Sequence, residues 1–335
     1  ELGAGFGHLV RHRALLERLL AQGHRVAFHA AVEARARQVF ADLAVEVRSA
    51  PRGVTSDSQR LPLPISFAEV LWNTGYADPD GVAARVAHWR DVFLAEQPDV
   101  VIADYAPAAA MACRALGLRC IAAGNGFYVP PKVSPLPPYQ VVYDGRVERS
   151  ELVERKLLGI LNVALARLGM ASASSVAEAL LPPESFLLTF PEFDPLAKSR
   201  AGAVGYLGAW PSRDFGTTPT FAESRRRIFC YLDVNKINRE FLLAFGRLDA
   251  EVFLVQKAGG TVPIEVFNLS NVNVISNLID LTSTAHVFDA GITAGSLNVT
   301  LALLLAGKPV LAVPGNLEQY LNASRLERLG AGLAA

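Results

Sequence analysis

A histidine at the mouth of a glycine turn is the first residue in this chain placed for chemistry. The turn reads Gly3-Ala4-Gly5-Phe6-Gly7-His8 and runs into an amphipathic helix with Leu15, Leu16, Leu19 and Leu20 on one face. Imidazole titrates near neutrality, so His8 suits the removal of a proton from a hydroxyl. It equally suits a solvent-facing residue of a tight turn. The second candidate is Asp104, which ends the apolar run Asp99-Val-Val-Ile-Ala-Asp104. Open α/β sheets keep their functional residues at that end of a strand. A carboxylate there orients an imidazole or caps the helix expected over 106–116. The third is the small-residue turn Thr293-Ala294-Gly295-Ser296. It joins an apolar strand, Val287 to Ile292, to a helix with Leu297, Leu301, Leu304 and Leu305 on one face. Such a turn aims backbone N–H groups at an anion.

These residues need parallel sheets to hold them, and the hydrophobic pattern supplies two. In the first half, strands are expected at 25–30, 45–48, 99–104, 119–123 and 185–190, separated by helices over 32–43, 66–76, 79–97, 106–116 and 151–170. Residues 49–65, rich in Pro, Ser and Arg, read as a mobile loop. The segment Asn125-Gly-Phe127-Tyr128-Val-Pro-Pro131 follows a strand end. It suits an apolar binding pocket, with Phe127 and Tyr128 in its wall, or an ordinary core-lining loop. Composition then shifts towards Gly, Pro, Thr and Ser. This places a first domain at 1–204, a linker at 205–224 and a second domain at 225–335. The second half repeats the alternation, with strands at 227–232, 251–256 and 272–275 and a helix over 238–248. The fold class is therefore α/β, two Rossmann-like domains.

Several alternatives fall away. The glycine turn is spaced G-x-G-x-G and no acidic residue ends the next strand, which argues against dinucleotide binding. His8 and His12 lie four apart, yet no Glu follows His8 and no third ligand stands nearby, so no metal is expected. The 335 residues carry 32 basic and 32 acidic side chains, a balance that favours neither nucleic acid nor an anionic membrane as partner. No apolar run reaches the length of a membrane span, and no signal peptide is visible. Cys113, Cys120 and Cys230, odd in number and in apolar contexts, read as buried thiols of a reducing, cytoplasmic compartment.

At the third site the chain resembles the family 1 nucleotide-sugar glycosyltransferases, whose donor motif reads roughly T-H-C-G-W-N-S-T-L-E, then a-G-v-P, then D/E-Q and N. Thr293, Asn298, Thr300, Leu301, Gly307, Pro309, Pro314, Glu318, Gln319 and Asn322 match it. Ala294 stands where the family has a diphosphate-contacting histidine, and Ala302 where many members have a ribose-binding glutamate. The family's Gly-Ser or Gly-Thr pair is absent at Asp233-Val-Asn-Lys236, where Lys236 is either a compensating charge or a solvated surface lysine. Near Ser276-Asn277-Leu278 the family often has a residue against the nucleobase.

The resemblance implies a GT-B architecture, an acceptor-binding and a nucleotide-sugar-binding domain with parallel sheets facing a central cleft. It implies an inverting, metal-independent transfer from a UDP- or dTDP-sugar, with no further cofactor, to a hydroxyl of a small apolar acceptor. His8 would be the base and Asp104 its partner. Thr293, Gly295, Ser296, Asn298 and Thr300 would hold the diphosphate, and Glu318 and Gln319 the sugar. It also implies a strand before the glycine turn and further helices after the final GAGLAA. A non-catalytic GT-B relative and a GT-B nucleotide-sugar epimerase remain as alternatives.

Overall fold

The computed structural model describes residues 1–3, 5–51, 60–139, 146–200, 205–209, 216–219, 221, 226–256, 260–277 and 279–335. The chain divides into two compact units, Glu1–Gly208 and Ala209–Ala335. Residues 52–59 of the expected 49–65 loop, and residues 210–215, 220 and 222–224 of the expected 205–224 linker, lie outside the described residues.

In the first unit, α1 (Phe6–Ala21), β1 (Ala27–Ala30), α2 (Glu33–Val39) and β2 (Glu46–Ser49) follow one another. Next come α3 (Phe67–Leu71), α4 (Pro79–Glu96), β3 (Val100–Ala103) and α5 (Pro107–Leu116). The unit ends with β4 (Arg119–Gly124), α6 (Val147–Arg167), α7 (Val176–Leu180), β5 (Glu184–Leu187) and β6 (Gly205–Tyr206). Local chemistry sets several boundaries. Asp78 accepts from the N–H groups of Asp80 and Gly81, with Pro79 at the first helical position of α4. Pro107 opens α5, and Gly117 closes it in the left-handed conformation. The helix expected over 66–76 breaks after Leu71 into a wide turn in which Gly75 has φ +88°.

Two parallel sheets form here, β1–β2 and β3–β4–β5–β6. Gly205 and Tyr206, expected to begin the linker, instead add the edge strand of the second sheet. Among the described strands, β1 pairs only with β2 and β3 only with β4. A cavity of about 1050 Å³ runs along the two remaining strand edges, between Phe28 and Ile102. Val100 and Ile102 are correspondingly exposed, at 39% and 40%.

The second unit contains β7 (Arg227–Leu232), α8 (Arg239–Ala244), β8 (Glu251–Gln256), α9 (Ile264–Phe267), β9 (Val272–Ile275) and α10 (Leu281–Thr284). It continues with β10 (Ala290–Thr293), α11 (Leu297–Leu305), β11 (Val310–Ala312), α12 (Leu317–Arg328) and β12 (Gly332–Ala334). Its single parallel sheet has the order β12–β11–β10–β7–β8–β9. Renumbered within the unit, that is 3-2-1-4-5-6, the doubly wound order whose switch point lies between the first and fourth strands. Here the switch falls between β7 and β10. One face of the sheet packs Phe229, Phe253 and Phe288 with ring centroids 5.4–5.6 Å apart for the contacts to Phe288. The other packs Cys230, Leu232, Leu242 and Leu254.

Candidate functional site

The first unit assembles His8 and Asp104, residues 96 positions apart. Gly5, in extended conformation, precedes α1 and its carbonyl accepts from His8 N–H. The His8 ring then lies directly over Gly3. A Cβ on that residue would fall 2.5 Å from His8 Cγ, so the turn demands glycine where the ring passes. Asp104 leaves the carboxyl end of β3, and Tyr105 beside it takes the left-handed conformation with φ +48°. A non-glycine residue there stores roughly 1–3 kcal/mol of strain, a sign that surrounding packing dictates the turn.

Asp104 Oδ2 stands 3.0 Å from His8 Nδ1 and 2.8 Å from His12 Nε2. Arg11 Nε stands 3.8 Å from the same oxygen. Burial pushes the Asp104 carboxyl upward, but the Arg11 charge, then His8 and His12, outweigh it and hold the group well below the ordinary carboxylate range. Asp104 is therefore an ionised acceptor. It does not cap α5, as the simpler reading had it. That helix start receives Glu1, whose carboxylate accepts from Ala108 N–H at 3.1 Å and from the Tyr76 hydroxyl at 2.7 Å.

The two loop aromatics separate. Tyr128 comes to the site, its ring 4.8 Å from that of His8 and 4.3 Å from that of Tyr105. Phe127 turns the other way, buried and stacked on Tyr139 at 4.7 Å. The Tyr139 hydroxyl donates to Phe127 O at 2.9 Å, which fixes the loop from behind. Of the two residues expected in an acceptor wall, Tyr128 lies beside His8 and Phe127 packs in the core. The large cavity also reaches His8, His12 and Asp104. Its lining combines β1 and β3 with side chains of α1 and α4, among them Leu9, Leu16, Trp89 and Phe93.

In the second unit, the switch point brings together the segments that follow β7, β10 and β11. Gly295, at φ +75°, turns the chain into α11, and a Cβ there would fall 2.8 Å from Gln319 O. Asn322 Nδ2 donates to Gly295 O at 3.0 Å, so α12 buttresses the turn. Asn316 caps α12 by accepting from Gln319 N–H at 3.0 Å.

The expected diphosphate residues are not equivalent. Thr293 and Thr300 are buried, at 0% and 1% exposure, with hydroxyls 3.5 Å apart. They shape the turn from beneath. The Gly295 N–H is engaged with Thr293 Oγ1 at 3.1 Å. Ser296 Oγ is buried and has no partner, and Asn298 is half-buried in the first turn of α11. Glu318 and Gln319 lie half-buried at the start of α12, where the Gln319 side chain accepts from Gly315 N–H at 2.8 Å. Ala294 packs in the core with Cys230 and Val234. Lys236, after β7, lies over Gly315, where a Cβ would fall 3.2 Å from its Cδ and 3.9 Å from its Nζ.

Sequence reasoning read His12 only as a metal ligand to be dismissed, and missed Arg11. Both follow His8 within one helical turn and could have been read as sharing its face. Among the described residues no group of three His, Cys, Asp or Glu is arranged to hold a metal ion. No described helix is long and apolar enough to cross a membrane. All three cysteines are buried and free.

No family model matches the chain. It is 24% identical to a zeaxanthin glucosyltransferase of Pseudescherichia vulneris, over 98% of this chain and 83% of that protein. Among solved structures it is similar to the calicheamicin glycosyltransferase CalG4, with a TM-score of 0.68 and 18% identity over 99% of this chain and 83% of that one. The chain has the GT-B glycosyltransferase fold. A further GT-B structure, SsfS6 of Streptomyces sp. SF2575 complexed with thymidine diphosphate, is similar with a TM-score of 0.63 and 18% identity, over 99% of this chain and 86% of that one.

Proposed function

We propose that this GT-B chain is an inverting glycosyltransferase that moves a sugar from a nucleotide-diphosphate sugar to a hydroxyl of a small apolar acceptor, without a metal. The observation that carries the reading is the contact of His8 Nδ1 with an ionised Asp104 at 3.0 Å. It leaves His8 Nε2 to take the acceptor proton, and it stabilises the imidazolium that results. The acceptor oxygen attacks the anomeric carbon on the face opposite the leaving diphosphate. Departure of that group is assisted by the α11 N-terminus with Ser296 and Asn298, as helix N-termini assist anions. Thr293, Gly295 and Thr300 hold the turn in shape, while Glu318 and Gln319 face the donor sugar. A nucleoside diphosphate of the uridine or thymidine type fits the resemblance, and the SsfS6 complex supports the second. The name of the zeaxanthin enzyme supports an apolar acceptor.

The neutral turn around Ala294 favours one other reading, a GT-B relative that binds a nucleotide sugar without turning it over. Loss of a charge-assisted contact amounts to roughly 1.5–3 kcal/mol, about ten- to a hundred-fold in affinity or rate. Titration calorimetry with uridine and thymidine diphosphates, followed by donor turnover by wild type and His8→Ala, distinguishes the two. Binding with His8-dependent turnover supports the transferase. Binding without turnover across a panel of apolar alcohols and phenols supports the relative, and no binding by either nucleotide defeats both.

A further inference from the structure

The surroundings of His8 set a problem of proton placement. Asp104 is ionised and only accepts, so a ring nitrogen bonded to its Oδ2 carries the proton. For His8 that nitrogen is Nδ1, and Nε2 then keeps the lone pair a base needs. Arg11 Nη2 stands 3.3 Å from the same Nδ1. A guanidinium only donates, so it can bond to Nδ1 only when the His8 proton sits on Nε2. That tautomer cannot act as the base. Asp104 and Arg11 therefore pull His8 in opposite directions, and the position of the carboxylate decides the outcome.

Arg11 is fixed, because its Nε donates to Gly7 O at 3.0 Å. The carboxylate has somewhere else to go. Its Oδ1 is buried without a partner, and so is Arg11 Nη1. A rotation of Asp104 onto the guanidinium would satisfy both orphaned groups. What opposes it is His12, one helical turn beyond His8, with its Nε2 at 2.8 Å from Oδ2 and its side chain 5% exposed. This contact, shorter than that of His8, holds Oδ2 between the two rings.

We propose that His12 is a positioning residue: its N–H pins Asp104 Oδ2 against His8 Nδ1 and so keeps His8 in the tautomer whose Nε2 can accept a proton. The consequence for turnover rests on the transferase reading. The tautomer selection does not, and this separates the two in experiment.

Ring ¹⁵N spectra of histidine-labelled protein report the tautomer directly, with His8→Gln assigning the signal. In wild type the His8 proton should reside on Nδ1. In His12→Phe it should move to Nε2, with kcat falling about 10²-fold and acceptor KM unchanged. His12→Gln, whose amide nitrogen reaches the place of Nε2, should keep both the tautomer and most of kcat. His12→Asn is too short and should behave as His12→Phe, which covers the case in which the phenylalanine variant does not fold. In an Arg11→Met background the His12→Phe change should leave the tautomer on Nδ1, because the competing donor is gone. A His8 proton that stays on Nδ1 in His12→Phe and His12→Asn overturns the proposal, even if kcat falls. A tautomer shift in a protein that transfers no sugar upholds the role of His12 and removes the transferase reading instead.

Discussion

Each unit carries a strand–turn–helix junction at the carboxyl end of a parallel sheet, and the two solve the problem of polar function by opposite means. The junction after β3 is dense in charge. One buried carboxylate serves two imidazoles and a guanidinium, while its own Oδ1 and Arg11 Nη1 remain unpaired. The junction after β10 is neutral, built from hydroxyls, a glycine and the N-terminus of α11, with an alanine packed in the core between them. The first is assembled from distant sequence and gathers several charges around one carboxylate. The second is nearly continuous in sequence and offers a shaped set of dipoles. Under the proposed function the contrast has a reason: a base must be held in one protonation state, whereas a diphosphate that arrives with its own charge needs only donors.

The largest effect should come from the charged junction. Asp104→Asn should lower turnover by on the order of 10²–10⁴-fold, because the amide presents either tautomer partner to His8. It should also destabilise the fold by about 3–5 kcal/mol by leaving Arg11 buried without its counter-ion. The depressed folded-state pKa of Asp104 sets the sign with pH. Its stabilisation is fully present above the unfolded carboxylate value of about 3.9 and is lost as pH falls through the lower folded value. Urea unfolding of wild type and variant from pH 7 downward should therefore show a constant gap that narrows only below about pH 4. A gap independent of pH would mean that Asp104 acts by packing.

The neutral junction should answer differently. Gly295→Ala forces a side chain into φ +75° against Gln319 O and should cost about 1–3 kcal/mol of stability, read as a lower unfolding midpoint. Ser296→Ala removes a hydroxyl without a partner in the protein. It should leave the midpoint in place and weaken nucleotide-diphosphate binding about three- to ten-fold by calorimetry, the size of one hydrogen bond. If instead the midpoint falls and affinity holds, the turn is scaffold rather than anion site. The smallest effect belongs to neither junction. Glu184→Gln removes an exposed pair with Arg119 at 2.8 Å across β4 and β5, and solvent screening should leave both midpoint and turnover unchanged.

Much of this was legible in the chain. The strands at 227–232, 251–256 and 272–275 were read with the bounds observed, because continuous apolar runs between turn residues have few other solutions. Harder were short elements whose reason is tertiary. The edge strand β6 is two residues long and exists because β5 offers it an edge, and α7 and α9 are each a single turn or little more. His8 and Asp104 were named from type and position, but the sequence left Asp104 open between helix cap and dyad partner. In the fold Glu1 takes the helix start, and Asp104 faces His8 and His12 instead. Phe127 and Tyr128, adjacent and both aromatic, were indistinguishable until the backbone sent one to Tyr139 and the other to His8.

By itself the sequence determined the periodicities, hence two parallel α/β units, and the residue types at each strand end. Those depend on hydrophobic spacing and turn chemistry, which act over a few residues and are written in order along the chain. Only the tertiary structure decided which carboxylate oxygen faces which nitrogen, and that His12 and Arg11 share the fate of His8. Such choices turn on contacts of about 3 Å between residues nearly a hundred positions apart, and a hydrogen bond that short depends on packing rather than on spacing.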